Sequence, residues 1–230
     1  NWKVINARLQ ALGVPLKRVH SIVVTHSHPD HFGGAARLRA ATGADIITHQ
    51  SFRLWFDPNE PDDVDVEIAA RHKRGTGETP WGGPGYQLPL RRKMYYNAFR
   101  VLPQLFKVPQ PTVRLAEGEY ISLARRKWMA IHTPGHTEDH LCLFDADTGV
   151  MLCGDHVLPT ITPHISGMSK YPDPLEGFFN SLDKVGAFGS QVGICLPAHG
   201  KPFADIATRC EQIKEHHQGR LEKLRTSAAE

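Results

Sequence analysis

The seven residues Thr25-His26-Ser27-His28-Pro29-Asp30-His31 constrain this chain more than any other stretch. They close Val19–Thr25, a short β-branched run that predicts a buried strand. In α/β folds the carboxyl end of a strand is where ligand sites collect. Three imidazoles and a carboxylate within six residues make a donor set for a divalent ion. Imidazole and carboxylate are ligands that zinc, manganese and iron accept. In an extended segment His26 and His28 point the same way, while Pro29 bends the chain so that Asp30 and His31 can address a second ion. The plainer reading is a His-rich surface loop, and the position straight after a buried strand argues against it.

Three more predicted strands end in turns that carry one donor each. His136 lies in Thr133-Pro134-Gly135-His136-Thr137, after the predicted strand Trp128–His132. Asp155 lies in Gly154-Asp155-His156, after Val150–Cys153. His199 lies in Pro197-Ala198-His199-Gly200, after Val192–Leu196. Any one of these would usually be an ordinary loop residue. Four strand ends offering donors point to one convergent site.

The remaining pattern alternates strands with helices, which predicts an α/β fold. Helices are expected over 2–12, 33–42, 175–188 and 204–224, the last with Ile206, Ile213 and Leu221 on its apolar side. Gly and Pro total 37 of 230 residues, too few for a low-complexity chain. The net charge of +3 does not by itself imply nucleic acid. No apolar run is long enough to span a membrane, and no signal-peptide pattern opens the chain. Cys142, Cys153, Cys195 and Cys210 each sit among apolar residues and read as buried reduced thiols, which fits a cytoplasmic location. Of the histidines outside the turns, His20, His72, His216 and His217 read as surface residues, and His49, His132, His140 and His156 as flanking the turns. His164 is a candidate proton donor to a leaving group.

Residues 51–110 break the rhythm. From Arg71 to Lys107 there are eight Lys or Arg and one acid, with aromatic residues interleaved. This stretch reads either as a solvated insertion or as a lid that would bring Trp81, Tyr86, Tyr95, Tyr96 or Phe99 against a substrate.

The H-x-H-x-D-H run, the TPGHT turn, the GD turn and the PAHG turn, in this order, resemble the metallo-β-lactamase-fold hydrolases. The resemblance spans residues 19 to about 203. It implies a single domain over 1–230 with an αββα sandwich and the metals at one edge of the two sheets. It implies one ion on His26, His28 and His136, a second on Asp30, His31 and His199, and Asp155 bridging both. Zinc is the first expectation, with manganese or iron as alternatives. Family members normally begin with a β-hairpin, which nothing here matches, so the chain is expected to lack those strands, as a truncated or partly observed chain or one in which they are supplied differently.

The resemblance further implies a metal-bridging hydroxide oriented by Asp30 as the catalytic carboxylate. Asp155 stands where the antibiotic-hydrolysing members usually have Cys or Ser, and Leu158 where the acyl-homoserine lactonases have Tyr. The TPGHTEDH and GDH turns look closest to the glyoxalase II-like hydrolases and the lactamase-like endoribonucleases. The expected activity is hydrolysis of a small ester, thioester or lactone. The runner-up is cleavage of single-stranded RNA, favoured by the basic stretch 71–107, with a β-lactam hydrolase third.

Overall fold

Short apolar and β-branched runs form eight strands among the described residues of this computed structural model, which are 2–54, 90, 91, 94, 98, 108–165 and 173–229. The chain divides into two compact units. The larger holds Ser21–Ser27, Asp45–Phe52 and Pro111–Glu230; the smaller holds Asn1–His20, His28–Ala44 and Arg53–Gln110.

Both sheets belong to the larger unit. The first is parallel, in the order β1 (Ser21–Val23), β2 (Asp45–His49), β3 (Val113–Leu115). The second runs β4 (Tyr120–Leu123), β5 (Arg126–His132), β6 (Leu141–Asp145), β7 (Val150–Gly154), β8 (Ile194–Pro197). Its first four strands are antiparallel neighbours. Ala124 and Arg125 both take positive φ in the two-residue β4–β5 turn, the twist a tight hairpin needs. β8 pairs parallel to β7, after a return through α4 (Pro174–Gly186).

The period of two along β6 places its side chains on both faces of the second sheet. Leu141 and Leu143 join Ile47, Leu115, Trp128 and Ala130 in the core between the sheets. Cys142 and Phe144 turn the other way, into a core with Phe178, Leu182 and Val185 of α4 and Ile206, Cys210 and Ile213 of α5 (Ile206–Ala228). The larger unit therefore stacks helices, sheet and sheet, three layers of the expected sandwich. Each large apolar side chain so buried contributes about 1.5–3 kcal/mol.

Asp173 caps α4 by accepting from the main-chain N–H of Leu175 and Glu176, and Pro174 opens the helix without losing a bond. Asp205 caps α5 at Thr208. In α5, Ile206 and Ile213 are buried, but Leu221 is 48 % exposed and corrects the expected apolar side. No residue of α5 beyond Ile213 is buried.

The smaller unit holds α1 (Trp2–Ala11), a 3-10 turn (Leu16–Arg18), α2 (Pro29–Phe32) and α3 (Ala35–Thr42). Gly43 ends α3 in the left-handed region at φ 74°, as a C-terminal glycine does. The expected lid aromatics Trp81, Tyr86, Tyr95, Tyr96 and Phe99 lie outside the described residues. Among the described residues no helix is long and apolar enough to cross a membrane.

Candidate metal centre

Three of the four donor-bearing turns meet in the larger unit together with His26. The main chain leaving β1 stays extended because Val24 N–H donates to Ile47 O at 2.9 Å and Leu141 N–H donates to Thr25 O at 2.8 Å. His26, next in line, is wholly buried.

β5 ends at His132, and the turn closes with Thr133 N–H donating to His140 O at 2.9 Å. Gly135 takes φ 142° within it, and a Cβ there would stand 2.6 Å from Phe178 Cβ, so only glycine lets the turn lie on α4. His136 follows, 6 % exposed. Its Nδ1–H donates to the carbonyl of His164 at 2.6 Å. A carbonyl can only accept, so a neutral ring leaves Nε2 with its lone pair outward. The main chain of His164 meets the site through this bond, and its side chain, expected as a proton donor, is exposed.

β7 ends at Gly154, and Asp155 follows with a nearly buried side chain. Ala198 N–H donates to Gly154 O at 2.9 Å, which brings the β8 turn alongside. Gly200, at φ 92°, passes Pro159 closely. His199, between them, is half exposed.

The result is three imidazoles around one carboxylate oxygen. Asp155 Oδ2 lies 3.5 Å from His199 Nε2, 3.6 Å from His136 Nε2 and 4.0 Å from His26 Nε2. These separations exceed the ~2.7–3.2 Å of a hydrogen bond. A tetrahedral ion at ~2.0–2.1 Å from nitrogen and ~2.0–2.2 Å from oxygen holds two such atoms about 3.4 Å apart, close to the separations at His199 and His136. The donor set, all nitrogen and oxygen and largely buried, fits divalent ions.

His28, Asp30 and His31 belong to the smaller unit. His28 directly precedes α2 in extended conformation and its carbonyl accepts from the main chain of His31 and Phe32. Asp30 is exposed, with its Oδ2 3.5 Å from His31 Nε2. In the sequence they follow His26 by two, four and five residues.

Several buried polar residues in or beside the turns carry little sequence signal. Asp139 is buried and accepts from Ser27 Oγ at 3.0 Å; burial pushes its carboxyl up to about 7. Its only trace in the sequence is an acid placed between a turn and an apolar strand. His140 and His156 are wholly buried. Burial drives His156 down to about 3, so it stays neutral. His49 and His132, which flank the turns, stack face to face at 3.8 Å. His20 and His216 are exposed as expected, His217 is partly buried, and His72 lies outside the described residues.

All four cysteines are free and buried. Burial pushes Cys142 and Cys210 up to about 12, far from a thiolate nucleophile at neutral pH.

The sequence profile of the Metallo-beta-lactamase superfamily matches residues 2–199. A hydroxyacylglutathione hydrolase from Albidiferax ferrireducens is 28 % identical over 205 residues, covering 88 % of this chain and 56 % of its own length. An atrochrysone carboxyl ACP thioesterase from Passalora fulva is 26 % identical over 233 residues, covering 100 % of this chain and 50 % of its own. The chain thus spans about half the length of these curated relatives. The crystal structure of a metallo-beta-lactamase family protein from Thermus thermophilus superposes with a TM-score of 0.75 at 26 % identity, over 96 % of this chain and 67 % of that one.

Proposed function

The chain belongs to the metallo-beta-lactamase superfamily, and within it we propose a binuclear metal-dependent hydrolase that cleaves a small ester, thioester or lactone. The observation that carries this reading is the convergence of His26, His136 and His199 on one oxygen of Asp155. A single carboxylate facing three imidazoles is suited to serve two ions at once. His26, His28 and His136 would hold one ion, Asp30, His31 and His199 the other, with Asp155 between them. Zinc is the ion proposed first, with manganese or iron as alternatives.

Such ions, when bound, activate water and polarise an acyl oxygen. The protein's part is positional. The His136–His164 hydrogen bond fixes the ring so that Nε2 faces Asp155. Asp30, exposed on the first turn of α2, orients the attacking water through its carboxylate. The cysteines, all buried, offer no competing nucleophile.

The names of two relatives, a hydroxyacylglutathione hydrolase and an ACP thioesterase, support a thioester over other acyl substrates. RNA cleavage is the second reading, and the local charge of residues 71–107 favours it. One panel separates them: a glutathione thioester, a lactone, bis-p-nitrophenyl phosphate, single-stranded RNA and a cephalosporin, on one preparation of known metal content. Turnover of the thioester or lactone, lost with a chelator and restored by metal, is expected. Turnover of RNA alone, falling steeply with salt as counterion release requires, would overturn the acyl reading.

A further inference from the structure

Building on the reading of Asp155 as the shared carboxylate, we propose that His140 is a positioning residue whose ring, held as one tautomer, fixes the main chain at Asp155.

His140 is wholly buried. The main-chain N–H of Asp155 donates to its Nε2 at 3.0 Å. An amide N–H can only donate, so Nε2 carries the lone pair and the hydrogen of a neutral ring sits on Nδ1. Nδ1 faces Thr133 Oγ1 at 2.7 Å, and there the hydroxyl accepts. The hydroxyl's own hydrogen then points onward, toward His140 O or Cys142 Sγ, each at 3.5 Å. The opposite tautomer would set two N–H groups against each other at Asp155 and leave a buried donor unsatisfied.

The fit around the ring is close. Gly154 has φ 52°, and a Cβ there would stand 2.5 Å from His140 Nε2 and 3.2 Å from Thr25 Cβ. The chain can pass the ring only because residue 154 has no side chain. The same imidazole lies 5.1 Å, centroid to centroid, from the ring of His26. Its own carbonyl closes the turn that carries His136. One side chain thus stands at the meeting of three donor-bearing segments, and its acceptor nitrogen is aimed at the main chain of the carboxylate they surround.

The consequence is testable with zinc(II) as the probe. His140→Gln keeps an acceptor where Nε2 stood; His140→Asn keeps a donor toward Thr133 and loses the acceptor. Zinc affinity is read by competition with a chelator, alongside the thermal midpoint of each variant. His140→Asn is expected to weaken zinc binding by about 10–100-fold, the usual cost of losing an outer partner of a ligand, while His140→Gln stays close to the wild type. Nitrogen-15 NMR of the wild-type zinc protein should show His140 protonated at Nδ1 alone. Equal losses in both variants, or a proton on Nε2, would overturn the positioning role. Asp155→Asn separates this inference from the reading beneath it. If that variant loses zinc while His140→Asn binds normally, only the positioning role falls. If Asp155→Asn binds zinc like the wild type, the shared carboxylate falls and the positioning role with it. Should the His140 variants fail to fold, the tautomer in the wild type still decides.

Discussion

The stacked imidazoles of His49 and His132 make acid the natural stress on this protein. His49 is 1 % exposed and sits at about 4, lowered from 6.5 by burial first and then by the neighbouring His132 and Lys184. Burial lowers His132 in the same direction. A depressed imidazole is neutral in the fold and binds its proton more readily when unfolded. Between pH 6.5 and 4 the unfolded chain therefore holds more protons at this position. The contribution to stability is full above 6.5 and is lost as pH falls toward 4. His49→Asn keeps an acceptor for Ser51 N–H, which His49 Nδ1 now serves at 3.2 Å, and cannot titrate. Thermal midpoints measured from pH 4 to 7 should fall less steeply in this variant; an unchanged slope would place the acid sensitivity elsewhere. Asp30 answers to a different measurement. Asp30→Asn keeps the size and loses the charge, and removing one such group commonly costs ~2.7–4 kcal/mol of transition-state stabilisation. Turnover should fall by at least about a hundredfold with circular dichroism unchanged. Near-full activity would assign the water's orientation to another residue.

Helices and turns show where periodicity informs and where it stops. The 3.6-residue pattern places Ile206, Ile213 and Leu221 on one side of α5, yet only the first two are buried. A pattern says which side of a helix can be covered, not how far its partner extends. Ile213→Ala should cost about 2–5 kcal/mol in denaturant unfolding, and Leu221→Ala less than about 0.5 kcal/mol. Comparable losses at both positions would mean that the end of α5 is covered after all. The strands are legible because β-branched runs are short and bounded by turn residues; Val113–Leu115 and Tyr120–Leu123 form as read. The four-residue α2 is not, because Pro29 suits a bend and a first helical turn equally well. Gly135 tests the turns themselves. Its φ of 142° and the 2.6–2.7 Å approach of Phe178 leave no place for a Cβ. Gly135→Ala should destabilise by about 1–3 kcal/mol and lower metal affinity together, because strain at this turn is transmitted to His136 one residue on.

Across the whole molecule, the candidate site was readable because its donors are chemically conspicuous even when far apart in sequence. His26, His136, Asp155 and His199 are spread over more than 170 residues, and each lies one to four residues beyond the end of a strand. What surrounds them was not readable. The burial of Asp139, the tautomer of His140 and the stack of His49 on His132 arise only when distant segments meet, and no local pattern encodes them. The division of the chain into two units was readable only in part: Arg53–Gln110 falls within the compositionally distinct stretch 51–110, while Asn1–His20 and His28–Ala44 carry no such mark. Everything proposed for function rests on the carboxylate of Asp155 and its three imidazoles holding metal. Elemental analysis of the purified protein at metal saturation, beside Asp155→Ala, tests this most directly. Two divalent ions per chain in the wild type, and a clear loss in the variant, are expected; one ion or none in the wild type, or two retained without Asp155, would contradict the binuclear centre.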